Sequence, residues 1–450
     1  MNRRKFIQNS TTVMTASVLA THSIANNTLF NSSGKKKVAL IGTGVRGISM
    51  FGKGIMQNYT DYVEIVGLCD INPGRLKVAA NLIGANCPTF TDMEELIRQQ
   101  KPDTLIVTTT DAAHHEVIIK GLEMGCNIIT EKPLTIDEKK AQAIIDAERK
   151  SGKNVIVTFN YRYPPYRAKI KELLMSGIVG KIQAVEFNYY LDHQHLVQYM
   201  QRWHGQTNKG GSLWVHKSTH HFDMVNWYIN SEPEQVFAFA SLERFGKTGP
   251  YRGKNCRNCD HTDKCPYYWD INKDENLKRL YADNENHDGY IRDNCVFREN
   301  IDIYDKHSAM VKYANGVQLS YVLTGHSDNE GYFMAFDGTE GRLEVRVGGH
   351  PQKDYNELIF IPESRFTDRK AEIIKAEHKP GGHWGGDPIM MDKLFKNPES
   401  ADTLGQQAVV RDGVMSILIG IAARKSCKSG KLVYIKDLTD LVPKSMRSTS

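Results

Sequence analysis

Val38-Ala39-Leu40-Ile41-Gly42-Thr43-Gly44-Val45-Arg46-Gly47 decides the fold. Four consecutive apolar residues read as a strand buried on both faces, the pattern of a parallel sheet. The glycines that follow have G-x-G-x-x-G spacing. The first permits a tight turn, the second a close backbone approach to a bulky anion, and the third close packing of a helix on the strand. Ile48, Phe51 and Ile55 recur at helical spacing, so a helix is expected from Val45. A strand, a glycine turn and the free amides of a helix N-terminus make a cradle for pyrophosphate.

Outward from this stretch, residues 37–160 keep alternating strand and helix, which with right-handed crossovers gives a doubly wound parallel sheet. Val63–Cys69 is the second strand, and residues 105–107, 127–129 and 155–157 are further short apolar strands. Thr91-Asp92-Met93-Glu94 reads as a capping box, and Asp137 as the cap of a later helix. Asp70 closes the second strand. A carboxylate there accepts hydrogen bonds from the adenosine ribose and repels a 2′-phosphate, so NAD is favoured over NADP, with the nearby Arg75 opposing. Gly42, Gly44, Val45, Arg46, Gly47 and Asp70 are the candidate cofactor contacts.

Beyond residue 160 the pattern changes. A helix at 169–175, a long strand at 182–190 and a helix at 219–228 precede alternating segments at 308–313 and 317–323, which Asn315-Gly316 joins. Asn-Gly between alternating runs is a strong hairpin signal. Strands at 333–336 and 342–347, an amphipathic helix at 404–425 and a strand at 432–435 complete the chain. The fold class is α/β: a Rossmann domain at residues 35–160, then an α+β domain at 161–440 with a mostly antiparallel sheet.

Glu131-Lys132-Pro133 ends the fifth strand, at the edge of an open parallel sheet where ligands bind. With Thr109-Thr110-Asp111-Ala112-Ala113-His114 and the later Gly210-Gly211 and His216-Lys217-Ser218-Thr219-His220-His221-Phe222-Asp223, it resembles the Gfo/Idh/MocA family of nicotinamide-dependent, sugar-handling oxidoreductases. The resemblance covers residues 36–440. It implies a Rossmann domain followed by an open-faced sheet domain, with pairing of copies through the open face. It implies cofactor contacts at Thr109, His114, Glu131 and Lys132, and a catalytic histidine at His220. Four positions depart from the family pattern. Thr110 stands where Pro is usual and Ser218 where Gly is. Asp111 stands where Asn is usual, and His216 replaces the usual catalytic Asp.

Oxidation of a secondary alcohol needs a base near working pH and a cation beside the oxygen. His220, His216 and Lys132 are the candidate catalytic residues. His216 and His220 are four apart and on one helix would share a face. Arg162 and Tyr163 after the sixth strand, Trp203 before the Gly-Gly pair, and His383 in a late His-Trp-Gly-Gly-Asp loop are the candidate sugar contacts.

Cys256, Cys259, Cys265 and Cys295 gather in a polar insertion at residues 245–298, placed where it can cover the substrate cleft. They suggest a structural tetrahedral zinc, with disulfides the rival in an oxidising compartment. The net charge of +6 includes Arg3, Arg4 and Lys5, and no long basic block follows, which excludes a nucleic-acid footprint. Asn2-Arg3-Arg4-Lys5-Phe6-Ile7 matches a twin-arginine export signal within residues 1–30. The apolar stretch after it is too short to span a membrane. An exported enzyme meets no free nicotinamide pool, so tightly held NAD is expected. The reading is an exported, homo-oligomeric oxidoreductase of a sugar or glycoside hydroxyl. An NAD-dependent glycosidase working by oxidation, elimination, hydration and reduction is the alternative, and a sugar-binding protein that has lost activity is a third class.

Overall fold

β1 (Lys36–Ile41), β2 (Val63–Cys69), β3 (Thr89–Phe90), β4 (Thr104–Val107), β5 (Asn127–Thr130) and β6 (Val155–Val157) lie parallel in the order β6-β5-β4-β1-β2-β3. The computed structural model describes residues 34–447 apart from 351–352, 364–369 and 378, so the twin-arginine segment lies outside the described residues. Every residue of β4 and β6 is buried, because helices cover both faces of the sheet.

The first helix opens with a π turn, Gly47–Gly52, before continuing as α1 (Lys53–Asn58). Glycine is required at both ends of that turn. A Cβ on Gly47 would collide with the Gly42 carbonyl, and one on Gly52 with the Ile83 side chain. α2 (Pro73–Ile83) follows β2, and its N-cap Asn72 accepts from the Arg75 amide. α3 (Met93–Gln100) is capped by Asp92, not by Thr91 as the box predicted; the Asp92 carboxylate takes both the Glu94 and Glu95 amides. α4 (His114–Glu123) and α5 (Glu138–Ser151), with Asp137 as its cap, complete the covering layers.

α6 (Pro165–Met175) leads into the second sheet. Its strands are β7 (Ile182–Asp192), β8 (Pro233–Ser241), β9 (Lys306–Tyr313), β10 (Gln318–Ser327), β11 (Gly331–Gly338), β12 (Gly341–His350), β13 (Lys353–Pro362) and β14 (Glu372–Ile374). After β15 (Ala408–Val409), which pairs antiparallel with β6 on the first sheet, β16 (Val433–Tyr434) closes the second. The order is β14-β13-β12-β11-β7-β10-β9-β8-β16, and only β7 and β10 pair parallel. The Asn315-Gly316 hairpin joins β9 and β10 as expected.

α7 (His193–Gln201), α8 (Ser218–Tyr228), α9 (Glu275–Leu280) and α10 (Val410–Ser429) complete the helices that matter for the site. α10 starts later than its predicted position and is not amphipathic. Val410 and every residue from Gly413 to Ala423 are buried, since the helix stands between the two sheets. Gly420 lets it touch the Trp214 backbone, where any Cβ would collide. One apolar core therefore runs from the first sheet through α10 to the inner face of the second. A smaller core beneath α1 and α2 takes in Ile271, Leu280 and Tyr281. Those three residues belong to the cysteine insertion, which thus packs on the Rossmann domain.

Candidate active site

Gly42 adopts φ +94°, and a Cβ there would lie 2.7 Å from Thr108 C and Thr109 N. Only glycine lets the turn close onto the loop after β4. Asp70 holds this turn from the other side. Its Oδ2 accepts from the Thr43 amide at 2.8 Å and the Thr43 hydroxyl at 3.0 Å. Its Oδ1 accepts from the Asn72 amide and from Arg75 Nη1. The predicted ribose acceptor is thus also the clasp of the glycine loop.

The outer face of the turn meets the insertion. The Val45 amide, a phosphate donor in this type of loop, donates to the Tyr281 hydroxyl at 3.1 Å. Asn72 Nδ2 donates to the Asn284 carbonyl, and Arg75 pairs with Asp288 as well as Asp70. Residues 281–288 therefore lie as a strap along the nucleotide end of the sheet, where the sequence placed the insertion over the substrate cleft. The turn and Asp70 fit a dinucleotide, and the Val45 amide joins them when the Tyr281 hydroxyl gives way to phosphate.

At the carboxyl edge of β5, Glu131 accepts from Arg46 Nε at 2.7 Å. Arg46 also reaches Asp387, which takes Asn160 Nδ2 at 2.6 Å and His383 Nδ1 at 2.9 Å. Burial alone would raise Asp387, but the His383 hydrogen bond and the Arg46 charge hold it well below the usual carboxylate range. This network ties the late loop to the nucleotide loop. His383 and Trp384 both take positive φ, +50° and +55°, a strained pair held by the surrounding contacts.

Lys132 donates from Nζ to the His216 carbonyl at 3.1 Å. Burial pulls its pKa down to about 8, against the Asp111 and Glu131 charges that favour the ammonium. His216 Nδ1 lies 2.6 Å from Asp111 Oδ2. Burial works against charge at both partners, raising Asp111 and lowering His216. Two of the family departures are therefore coupled: a carboxylate stands on the loop after β4, and the imidazole takes the place of the usual acid. His220 stacks on Tyr161 with ring centroids 4.0 Å apart, and burial and then Lys132 lower its pKa too. Burial thus favours the neutral form of both imidazoles.

His216 and His220 do not share one continuous helix. A short helical turn, Leu213–His216, is separated from α8 by Lys217. The break turns Lys217 inward, where Nζ lies 3.2 Å from Glu330 Oε1 and 3.5 Å from the Tyr161 hydroxyl. Burial would weaken this ammonium, but Tyr161, Tyr199 and Glu330 around it keep it firmly protonated. Asp111, Lys217, Tyr161 and Glu330 are site residues that sequence reasoning missed. Asp192, His195 and Glu330 place donor atoms within 4.8 Å of one another, the one such metal-capable group among the described residues. The Lys217 ammonium already supplies a cation there.

Several predicted contacts lie elsewhere. Arg162 is fully buried and makes two hydrogen bonds to Asp223, at 2.8 and 2.5 Å, so it faces the protein and not a sugar. Tyr163 packs in the smaller core. His114 turns both ring nitrogens onto carbonyls, Pro133 at 2.8 Å and Thr109 at 3.3 Å, and so braces the two loops instead of facing the cofactor. Trp203 stacks on His204, which in turn lies 4.1 Å from the His216 ring. Cys256, Cys259, Cys265 and Cys295 line one small cavity as free thiols. They are not drawn into a closed metal cage among the described residues.

Residues 36–159 match the oxidoreductase family NAD-binding Rossmann fold, and residues 171–436 match that family's C-terminal alpha/beta domain. The chain belongs to the Gfo/Idh/MocA oxidoreductase family. This Gfo/Idh/MocA oxidoreductase is 34% identical over 433 residues to the Bacillus subtilis (strain 168) protein YteT, named as an oxidoreductase, covering 90% of this chain and 98% of that one. It is 26% identical over 201 residues to an inositol 2-dehydrogenase/D-chiro-inositol 3-dehydrogenase of Lactiplantibacillus plantarum, covering 44% of this chain and 55% of that one. Levoglucosan dehydrogenase, solved with NADH and L-sorbose, shares the Gfo/Idh/MocA fold with a TM-score of 0.66 at 21% identity, over 90% of this chain and 100% of that one.

Proposed function

We propose that the chain is an exported enzyme that oxidises a hydroxyl of a sugar or glycoside, using NAD that stays bound between turnovers. The observation that carries this reading is the meeting of Lys132, His216 and His220 at the carboxyl edge of β5, next to the glycine turn. Relatives named as inositol and D-glucoside dehydrogenases support the substrate class.

Bound NAD supplies a hydride acceptor. The chain supplies the rest. When the Lys132 and Arg202 charges hold Asp111 ionised against its burial, His216 donates Nδ1–H to it, and Nε2 remains to take the hydroxyl proton. The Lys132 ammonium stabilises the alkoxide as that proton leaves. His220, held flat against Tyr161, forms the wall beside them. The strap from Tyr281 to Asp288 supports tight cofactor retention. It also favours a second reading, a glycosidase in which the nicotinamide is unchanged after each cycle.

One assay separates these readings. The purified chain is mixed with glycosides in the absence of added cofactor, and NADH absorbance and aglycone release are followed. A stoichiometric NADH burst that resumes with a keto-sugar acceptor is the expected result. Aglycone release without net NADH identifies the glycosidase, and silence in both channels overturns the enzyme reading. Replacement of Arg3 and Arg4 by Lys should block export, as read by cell fractionation.

A further inference from the structure

α7 divides two spaces. His195 and Tyr199 face the imidazole cluster, with the Tyr199 ring 5.3 Å from His216. On another side of the helix, Gln194, Gln198 and Gln201 line a cavity of about 460 Å³. Its opposite wall comes from the cysteine insertion, through Tyr267, Trp269 and Arg292. Lys132, His216, His220 and the glycine turn are not part of it.

Arg292 is the group in this cavity that the protein leaves incomplete. It is 8% exposed, and its Nη1 is buried without a hydrogen-bond partner. No carboxylate pairs with it among the described residues. Asp293 beside it in sequence gives Oδ2 to the amide and Nε of Arg257 and makes no hydrogen bond to Arg292. Asp274, the carboxylate on the cavity wall, caps α9 through the Leu277 amide. The guanidinium lies over the Trp269 ring, 5.1 Å from its centroid. Asp293, whose Oδ1 is buried without a hydrogen bond, offsets part of this charge through space, but no acceptor meets Nη1, and a buried cation short of a hydrogen-bond partner is unfavourable. Arg202, directly after α7, adds a second guanidinium within electrostatic reach of Arg292 on one side and of Asp111 and His216 on the other. Two neighbouring cations attract an anion. The remaining wall offers amide donors and acceptors with aromatic faces, the chemistry that holds sugar hydroxyls and ring C–H groups.

We propose that this cavity is a second subsite, which binds an anionic sugar unit of the uronate class with its carboxylate on Arg292. The proposal rests on the sugar-oxidation reading above, with the acidic unit held on the other side of α7 from the imidazole cluster. The ligand of this second site is then an acidic sugar or oligosaccharide.

The test uses the full chain and equilibrium binding, followed by titration calorimetry and by tryptophan fluorescence. Digalacturonate is compared with its methyl ester, the same sugar without the charge, and with inorganic phosphate. The acid should bind at least tenfold more tightly than the ester. Arg292→Met should abolish that preference, and Arg292→Lys should keep part of it. Equal binding of acid and ester, or a preference that survives Arg292→Met, overturns the subsite. Phosphate binding as tightly as the acidic sugar overturns its carbohydrate half. The wild-type comparison of acid with ester needs no variant, so a misfolded variant cannot hide the answer. It also needs no turnover. A chain that discriminates acid from ester but gives no NADH signal sinks the oxidation reading alone. A chain that reduces its NAD with neutral glycosides but does not discriminate sinks the subsite alone.

Discussion

Lys132 is cationic below about pH 8 and loses its proton above it, because burial opposes the charge. If the ammonium stabilises alkoxide, kcat/KM falls as pH rises through that value. A rate that climbs through the same region would make neutral Lys132 the base instead. Lys132→Met should lower turnover by about 10²–10⁴-fold while bound NAD and the melting temperature stay close to wild type. This residue was legible in the sequence, because Glu131 and Pro133 flank it at a strand end. Arg162 was not. A polar residue after a strand reads as a ligand contact, and its partner Asp223 lies far along the chain. Arg162→Met leaves the Asp223 carboxylate buried and alone, so it should cost about 3–5 kcal/mol of stability. Urea denaturation measures this loss. A variant of full stability with a raised KM would return Arg162 to the sugar. The inward turn of Lys217 was likewise hidden, since the four-residue spacing of His216 and His220 does not reveal the break between them.

The clustering of cysteines showed that residues 245–298 form a unit of their own, but nothing local says where such a unit docks. The contact that decides it joins Val45 to Tyr281, separated by 236 positions. Arg75 is the second anchor, shared by Asp70 and Asp288 with side chains only 11%, 5% and 12% exposed. A charge-assisted hydrogen bond of this kind contributes about 1.5–3 kcal/mol. Asp288→Ala should therefore loosen the strap and speed NADH release roughly tenfold or more, provided the strap bars the exit path. Stopped-flow fluorescence of NADH displaced by excess NAD reads this directly. An unchanged release rate would reduce residues 281–288 to packing. The glycine turn beneath the strap needed no such distant knowledge, because spacing and backbone sterics fix it locally.

At the scale of the whole molecule, alternating strands and helices foretold the order of the two domains, while the placement of α10 between the sheets depends on both of them. The outer face of the second sheet remains. Alternation turns His307, Ala309, Val311 and Tyr313 of β9 inward and leaves Met310 51% exposed. Phe237 pairs across from Met310, and Phe239, 67% exposed, packs 5.0 Å from the Phe237 ring. Toward β11 and β12 the same face becomes charged, with Arg342 on Asp337 and Glu344. An apolar patch beside a zone of both charge signs is suited to a two-fold contact with a second copy, in which each patch meets its own image. The chain should therefore run as a dimer or a higher even oligomer in light scattering. Phe239→Lys with Met310→Glu should shift it to the monomer while the circular dichroism spectrum and bound NAD are retained, since both side chains point away from the core. A wild-type monomer at micromolar concentration, or an oligomer indifferent to both changes, would leave this face without a partner of its own kind.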